Sequence, residues 1–191
     1  MLTATYADKN KVIDILSKSF ENNHSVNYIV QQDSKIKERI EFLMSYSFDM
    51  CYAFGKVFLS NDKNACALIL FPDKKKTNFK SILLDIQLIL KTIGIPNIGK
   101  ALSREAKIKK LQPKFDMYYL WFVGVDPASQ KHGHGSKLLE EIIADSKQMD
   151  RPLYLETSTL QNLPWYQKFG FKIYDQLDLG YKLFFLKRDS Q

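Results

Sequence analysis

The chain has 191 residues, which is long enough for one compact domain with a sizeable core. Hydrophobic residues make up 45% and charged residues 26%, as in ordinary globular proteins. The net charge of +7 suits an anionic ligand, but the basic residues are spread along the chain, so no nucleic-acid partner is expected. Two local lysine clusters, at residues 74–76 and 107–110, are interpreted as a solvated loop and a solvated helix face.

The longest apolar segment, residues 82–95, is not expected to span a bilayer. It contains Asp85, Gln87 and Lys91, and it is shorter than the roughly 20 apolar residues that a spanning helix needs. The first ten residues mix polar and charged side chains and lack the apolar core of a signal sequence. We therefore expect a cytoplasmic protein with no membrane partner. Cys51 and Cys66 stand far apart among apolar residues and are expected to be small buried thiols.

Hydrophobic periodicity and turn residues predict alternating helices and strands. In the N-terminal half these are a strand 2–6, a helix 9–21 with Asp8 as N-cap, a polar break 22–27, a helix 35–50, and a hairpin of strands 56–60 and 65–71. In the C-terminal half they are helices 79–93 and 100–111, a central strand 117–125, a helix 136–147, a strand 152–157, a short helix 163–169, and a closing pair of strands 171–175 and 181–187. This order predicts a mixed sheet flanked by helices.

Two glycines, Gly133 and Gly135, stand between the predicted central strand and the helix that follows it. Glycine permits a tight turn and a close backbone approach, and a helix N-terminus presents unpaired N–H groups and the positive end of its dipole. Strand, glycine loop and helix start together predict an anion site suited to a pyrophosphate. A Walker A loop is excluded because only one residue separates the glycines. A dinucleotide fingerprint is excluded because Leu138 occupies the place of its third glycine.

Two motifs carry a family resemblance. The first is Gln/Arg-x-x-Gly-x-Gly/Ala after a strand that ends in Val-x-Pro, and residues 125–135 match it in order and spacing. The second is the segment 162–171, Asn-Leu-Pro-Trp-Tyr-Gln-Lys-Phe-Gly-Phe. The first resembles the pyrophosphate-binding motif of the GCN5-related N-acetyltransferases (GNAT), and the second resembles the Asn-x-x-x-Tyr-x-x-x-Gly-Phe segment of the same family. Leu-Glu-Thr-Ser followed by Asn-Leu-Pro-Trp-Tyr is similar to the puromycin N-acetyltransferase-like branch.

The resemblance implies one N-acetyltransferase domain over residues 1–191, with an acetyl-coenzyme A-binding core at residues 117–175. The implied fold class is α/β: a mixed, mostly antiparallel central sheet with a parallel pair of strands splayed at the cofactor site, flanked by helices. The residues implied to bind acetyl-coenzyme A are Phe122, Val123, Val125, Gln130, Lys131, His132, Gly133, His134, Gly135, Ser136, Asn162 and Tyr166. No metal site is expected, because His132 and His134 stand two residues apart without a third ligand.

The implied reaction is direct attack of a primary amine on the thioester in a ternary complex. Tyr166 is the implied acid, because a phenol with an ordinary pKa of about 10 holds a proton for the departing thiolate. The alternative is a tyrosine that only packs on the sheet. Many relatives place a glutamate on the central strand, where this chain offers Trp121 and no carboxylate. Glu156, in an otherwise apolar strand, is the nearest candidate for binding or deprotonating the amine, and the alternative is a structural glutamate at a strand end.

The predicted acceptor pocket favours a small-molecule amine over a long acidic peptide. Its predicted lining residues are Phe20, Asn27, Tyr28, Trp121 and Glu156. Other functions stay open: transfer of an acyl group other than acetyl, a coenzyme A-binding sensor or regulator with little turnover, and, as a disfavoured third, nucleic-acid binding. A homodimer also stays open, since nothing in residues 181–191 decides it.

Overall fold

The computed structural model describes residues 1–77 and 79–190. Its strands are β1 Leu2–Thr3, β2 Gly55–Leu59, β3 Ala65–Leu70, β4 Tyr118–Val125, β5 Leu153–Thr157, β6 Lys172–Asp178 and β7 Lys182–Arg188. Its α-helices are α1 Lys9–Phe20, α2 His24–Ile29, α3 Ile36–Phe54, α4 Phe79–Leu88, α5 Ile98–Leu111, α6 His134–Gln148 and α7 Leu163–Lys168. The predicted elements therefore all occur, most of them within a few residues of their expected bounds.

The strands form one sheet in the order β1-β2-β3-β4-β5-β7-β6. Neighbouring strands pair antiparallel except for β4 and β5, which are parallel. The parallel pair is joined only at its start, where Tyr118 lies opposite Leu153 and Tyr119 opposite Tyr154. From Leu120 onward the two strands are no longer paired with each other. The predicted mixed sheet with a splayed parallel pair is confirmed.

A β-bulge on β4 resets which face each side chain occupies. The register with β3 passes from Leu68 opposite Phe122 to Ile69 opposite Leu120, so Trp121 is the extra residue. Tyr119 and Phe122 consequently pack against the core on one face, although strict alternation would place them on opposite faces. The bulge therefore turns the second half of β4, which leads into the glycine loop.

Each face of the sheet has its own apolar core. Helices α1 and α3 cover one face with side chains that include Leu16, Met44 and Phe48, which are fully buried. Helix α6 covers the other face through Leu139 and Ile142. Complete burial of one such side chain stabilises the fold by about 1.5–3 kcal/mol, so the two layers fix the sheet from both sides.

A partly buried polar cluster joins β2, β4 and α6. Lys56 Nζ lies 2.8 and 2.7 Å from the two carboxylate oxygens of Asp145, and the Tyr118 hydroxyl donates to the same carboxylate at 2.7 Å. Burial, together with the hydrogen bond to Asp145, raises the pKa of Tyr118, so its phenol stays protonated as a donor. The cluster anchors the paired start of β4 to the helix that follows the glycine loop.

Three local predictions were wrong in detail. The predicted polar break at residues 22–27 is mostly helix α2, because Asn23 caps it by accepting a hydrogen bond from the Val26 amide. Asp8 is the N-cap residue of α1, but its side chain makes no capping hydrogen bond; the carboxylate instead accepts from the amide and hydroxyl of Thr5 and closes the preceding turn. The predicted helix 79–93 ends as a π-helical turn, Ile89–Ile93.

Among the described residues, no single helix is long and apolar enough to cross a bilayer. The helical stretches Ile82–Ile93 and Ile95–Leu111 reach the required length and composition only when taken together, and they meet at an angle of 102°. Both cysteines are free thiols in the core, as predicted.

Candidate functional site

The loop after β4 leads into helix α6, whose N-terminus has no side-chain cap. Gly133 is the N-cap of α6 with a φ of +85°, a left-handed conformation that favours glycine, and no side chain caps the helix. Lys131 also has a positive φ, +66°. The first-turn N–H groups of an α-helix have no partner within the helix. The first-turn amides of α6, a helix of 15 residues, therefore have no side-chain cap, and the anion site at residues 132–136 stays a prediction.

Gly135 allows this helix start to lie against the end of β4. A Cβ atom on Gly135 would lie 3.1 Å from Val125 Cγ2 and 3.8 Å from a ring carbon of Trp165. The Trp165 indole also donates to the hydroxyl of Ser136 at 3.0 Å. The loop, the end of β4 and helix α7 thus meet at one place, which brings the two sequence motifs together.

The side chains of the loop point to several different partners. The amide of Gln130 donates to the Val125 carbonyl at 3.3 Å, and the Ser19 hydroxyl donates to the same carbonyl at 2.8 Å. His134 Nδ1 lies 2.6 Å from a carboxylate oxygen of Asp62 in the turn between β2 and β3. Hydrogen bonds from the Ser60 hydroxyl and the Asn64 amide lower the pKa of Asp62, with a further contribution from His134.

Lys131 and His132 are exposed on the loop. The side chains of the loop therefore leave the first-turn amides of α6 uncapped. Within the described part of the chain, no cluster of three His, Cys, Asp or Glu residues could hold a metal ion.

The splayed part of β4 carries the predicted cofactor strand. Beyond Tyr119, its edge toward β5 has no strand partner, so backbone groups along that edge are open to a ligand. Phe122 is buried against Phe20, with ring centroids 5.1 Å apart, while Val123 and Val125 are half-buried. The Val125 carbonyl is already satisfied by Ser19 and Gln130, so it is not available for pairing.

Tyr166 is buried on α7, with 5% of its surface exposed. Its ring packs between Trp165, at a centroid distance of 4.7 Å, and Phe171, at 5.5 Å. None of the described residues makes a hydrogen bond to its hydroxyl. Burial raises the pKa of Tyr166, so the phenol is protonated at neutral pH. Asn162, at the start of the same helix, is exposed and its side chain does not cap α7.

Glu156 is held by two donors on the other side of the split. Its carboxylate accepts from the Tyr119 hydroxyl at 2.5 Å and from the Gln112 amide at 2.8 Å. Burial raises the pKa of Glu156, and these two hydrogen bonds partly offset that effect by favouring the charged form. The nearby guanidinium of Arg104 acts in the same direction as the hydrogen bonds.

Arg104 joins three parts of the chain around this carboxylate. It donates to the Ser25 hydroxyl on α2 at 2.6 Å and to the Tyr181 hydroxyl, just before β7, at 3.2 Å. Sequence reasoning missed Arg104 and Gln112 because they belong to α5 and the residue after it, where no motif marks them. Sequence reasoning also missed Tyr119, because its place opposite Tyr154, two residues from Glu156, depends on the register between β4 and β5.

The predicted acceptor residues fall into two groups. Phe20 and Trp121 both contact the ring of Phe122, at 5.1 and 5.5 Å, and Trp121 also contacts Tyr46 at 6.2 Å. Tyr28 packs against Tyr181 at 5.3 Å, beside the Arg104 group that surrounds Glu156.

Asn27 is placed differently from the other predicted acceptor residues. Its amide donates to the Glu21 carbonyl at 2.9 Å, within its own segment of the chain. Its side-chain oxygen is buried and accepts no hydrogen bond from the described residues. The structure therefore places Phe20 and Trp121 beside Phe122 and Tyr28 beside Tyr181, and it leaves Asn27 bonded locally; the acceptor pocket stays a prediction.

This chain is similar in sequence to known acetyltransferases. The model of the acetyltransferase (GNAT) domain matches residues 105–173. An uncharacterized N-acetyltransferase of Schizosaccharomyces pombe is 40% identical over 74 residues, which is 39% of this chain and only 27% of the length of that protein.

Two of the solved structures that match do so over nearly their whole lengths. One, from Corynebacterium glutamicum, is named histone acetyltransferase HPA2 and related acetyltransferase; it has a TM-score of 0.70 at 20% identity and covers 100% of this chain and 96% of its own. The other, arylalkylamine N-acetyltransferase 2 from Aedes aegypti, has a TM-score of 0.65 at 16% identity and covers 100% and 98%. At these identities the structures support the fold alone.

Gly133→Ala is expected to weaken coenzyme A binding, because an alanine at φ +85° reorients the first-turn amides. Gly180→Ala is a matched control, since Gly180 also has a φ of +85° and neither glycine has an atom within 4 Å of its added Cβ. Both variants should lose about 1 kcal/mol of unfolding free energy, measured with urea. Only Gly133→Ala should lower the affinity measured by calorimetry. Equal affinities of the two variants for coenzyme A would show that the loop is not part of the binding site.

Proposed function

Because residues 105–173 match the model of the acetyltransferase (GNAT) domain, we propose that the chain is a member of that family and transfers an acyl group from an acyl-coenzyme A to a primary amine. We propose further that the acyl group is acetyl and that the acceptor is a small molecule. The supporting observation is the split between β4 and β5, which opens an unpaired strand edge leading directly into an uncapped helix N-terminus.

The residues at the split fit a coenzyme A thioester. The amides at the start of α6 offer hydrogen bonds and a positive dipole end to a pyrophosphate. The free edge of β4 offers backbone groups to a pantetheine amide, in the way that a peptide strand adds to a sheet edge. Helix α7, tied to the loop through Trp165 and Ser136, would close the other side. When bound there, acyl-coenzyme A supplies an activated carbonyl that an amine can attack.

Glu156 is proposed to take the proton that the attacking amine must lose. A carboxylate whose pKa is raised by burial is a stronger base than an exposed one, and ionised it also attracts an ammonium group. Tyr119 and Gln112 hold the carboxylate by hydrogen bonds to its two different oxygens. They are positioning residues in this proposal. The arrangement supplies on β5 the carboxylate that the central strand of this chain lacks.

Tyr166 is proposed to protonate the departing sulfur. The hydroxyl of this buried residue carries a proton at neutral pH and is not engaged by any described residue, so it is free to donate. The position of Tyr166 one residue after Trp165, which bonds to the glycine loop, supports placing it beside the thioester end of the ligand.

An aromatic amine is the proposed acceptor class. Phe20, Trp121 and Tyr28 provide ring surfaces around the split, and Glu156 provides one negative charge for an ammonium group. The arylalkylamine acceptor named for the Aedes aegypti protein is consistent with this class. The puromycin-like branch remains a prediction. A sensor that binds coenzyme A without turnover is the second candidate, and the absence of a carboxylate on β4 is the observation that favours it.

Thiol release from acetyl-coenzyme A, measured with a panel of small amines, tests the function directly. We expect turnover with aromatic ethylamines and slower turnover with long acidic peptides, because the acceptor groups are aromatic and carry a carboxylate. Binding of coenzyme A without thiol release for any amine would favour the sensor. Faster release with longer acyl-coenzyme A donors would replace acetyl as the proposed group. Acetylated lysines on proteins, with no small amine modified, would exclude the small-molecule acceptor.

Glu156→Gln should lower kcat by about 10²–10⁴-fold while coenzyme A affinity stays unchanged, because the base is lost and the shape is kept. In the wild type, kcat/KM should fall as the pH drops through the raised pKa of Glu156, above its ordinary value of 4.5. The variant should lack this acidic limb. Glu140→Gln, on the exposed side of α6, is the control and should behave as wild type. An unchanged rate in Glu156→Gln would contradict the proposed base.

The same variant has a predicted stability signature. A raised pKa means that the folded state holds the proton of Glu156 more tightly than the unfolded state, so this group stabilises the fold at low pH. That contribution is lost as the pH rises from 4.5 through the folded-state pKa. Relative to the wild type, Glu156→Gln should therefore gain unfolding free energy over this window, measured by urea denaturation.

Tyr166→Phe should reduce kcat by at least about tenfold and leave coenzyme A binding intact, because only the proton donor is removed. Its unfolding free energy should change by less than about 1 kcal/mol, since the hydroxyl has no hydrogen bond to lose within the described chain. Tyr154→Phe is the matched control: the same atoms are removed at a site that is 6% exposed, against 5% for Tyr166. Equal rates in the two variants would assign Tyr166 to packing alone.

A further inference from the structure

The basic residues are spread along the chain, but the net positive charge lies in one segment, where acidic residues are few. Residues 74–114, which lie within the longer connection from β3 to β4 and contain α4 and α5, hold eleven of the 28 Lys and Arg residues and two of the 21 Asp and Glu residues. This segment, called here the α4–α5 excursion, therefore carries a net charge of +9. The rest of the chain carries −2. The two lysine clusters that sequence analysis treated separately both belong to it.

The same segment exposes an apolar face. Phe79, Ile82, Leu83, Ile86 and Leu90 are all exposed, and Phe79 is the extreme at 84%. Their spacing, at i, i+3, i+4, i+7 and i+11, places them along one side of α4 and the turn that follows it. We call this set the apolar stripe. With Ile95 and Leu102, the excursion contributes seven of the fourteen large apolar side chains exposed by the described residues.

The opposite side of α4 is already used for packing. Asp85 accepts a hydrogen bond from the Tyr46 hydroxyl of α3 at 2.7 Å, and Leu88 packs against the core of that face. The apolar stripe therefore faces away from the protein and has no partner within the described chain. An exposed apolar face of this kind on a folded protein marks an interaction site.

Charge decides among the possible occupants. A second copy of this chain would bring a second excursion of +9 against the first, and the two would repel. The phosphates of a nucleic acid would pair with the lysines, but they would leave the five side chains of the apolar stripe exposed to water. An anionic lipid surface satisfies both, because lysines bind its phosphate groups while Phe, Leu and Ile enter the boundary of the acyl chains.

We propose that the α4–α5 excursion docks on an anionic lipid surface, with the apolar stripe entering the headgroup region and the lysines lying over it. The segment lies on the bilayer rather than crossing it, in keeping with its bent helices and many lysines. The proposal is independent of the acyl-transfer reaction. It replaces the expectations of no membrane partner and of purely solvated lysine clusters.

Sedimentation with lipid vesicles tests the apolar stripe. We expect the full chain to sediment with vesicles that contain phosphatidylserine and not with vesicles of phosphatidylcholine alone. Ile86→Gln should weaken this binding by about fivefold or more, because one apolar anchor is lost. Ile173→Gln is the matched control: it makes the same change at similar exposure, 40% against 47%, but on strand β6. An equal loss in both variants would overturn the proposal.

Charge reversal tests the lysines. Lys107→Glu combined with Lys110→Glu should weaken binding by about 25-fold or more, and added salt should weaken binding of the wild type. Lys172→Glu combined with Lys182→Glu, on the exposed surface of β6 and β7, is the control with the same change in net charge. If both double variants lose binding equally, only net charge matters and the proposed surface is wrong.

Three further outcomes would overturn the proposal. One is the absence of sedimentation with phosphatidylserine vesicles, and another is equal binding to neutral vesicles. In the third, the wild type does not bind vesicles but binds a different partner through the same residues. It would then self-associate and lose this in Ile86→Gln, or bind duplex DNA and lose this in the Lys107 and Lys110 double variant.

Discussion

The separation of two neighbouring parallel strands after two paired residues is the constraint on which the site depends. Tyr118 and Tyr119 pair with β5, and the following residues of β4 do not. Unpaired backbone groups inside a fold are costly unless something satisfies them, so the split persists only because both ends are fixed. The Lys56, Asp145 and Tyr118 cluster holds the closed end. The Trp165 to Ser136 hydrogen bond ties α7 to the loop at the open end.

The local features of the site were predictable because their causes are local. Gly133 and Gly135 announce a tight turn before a helix, and each is required for the reason that the sequence suggests: a positive φ for one and a close approach to Val125 for the other. Trp165 and Tyr166 belong to one short motif and lie on one helix, so the sequence alone places them side by side. The order of elements also predicted the mixed sheet, since hairpins impose antiparallel pairing and a helical connection permits parallel pairing.

What sequence reasoning missed depends on contacts between distant segments. The donors to Glu156 come from Gln112 and Tyr119, 44 and 37 residues away along the chain. The bulge at Trp121 is a matter of register with β3, which no periodicity within β4 reveals. The net charge of the whole chain, +7, does not show how that charge is distributed. It is the sum of +9 on the excursion and −2 on the remaining residues.

Helix α5 connects the two proposed activities mechanically. Arg104 lies on this helix and Gln112 follows directly after it, so two of the groups that set the pKa of Glu156 belong to this part of the chain. The exposed residues of α5 include Lys107, Lys109 and Lys110 of the excursion. Because Arg104 and Gln112 both lower the pKa of Glu156, a displacement of α5 that separated them from the carboxylate would raise that pKa further. Helix α5 thus lies between the exposed lysines and one ionisable group, the carboxylate of Glu156.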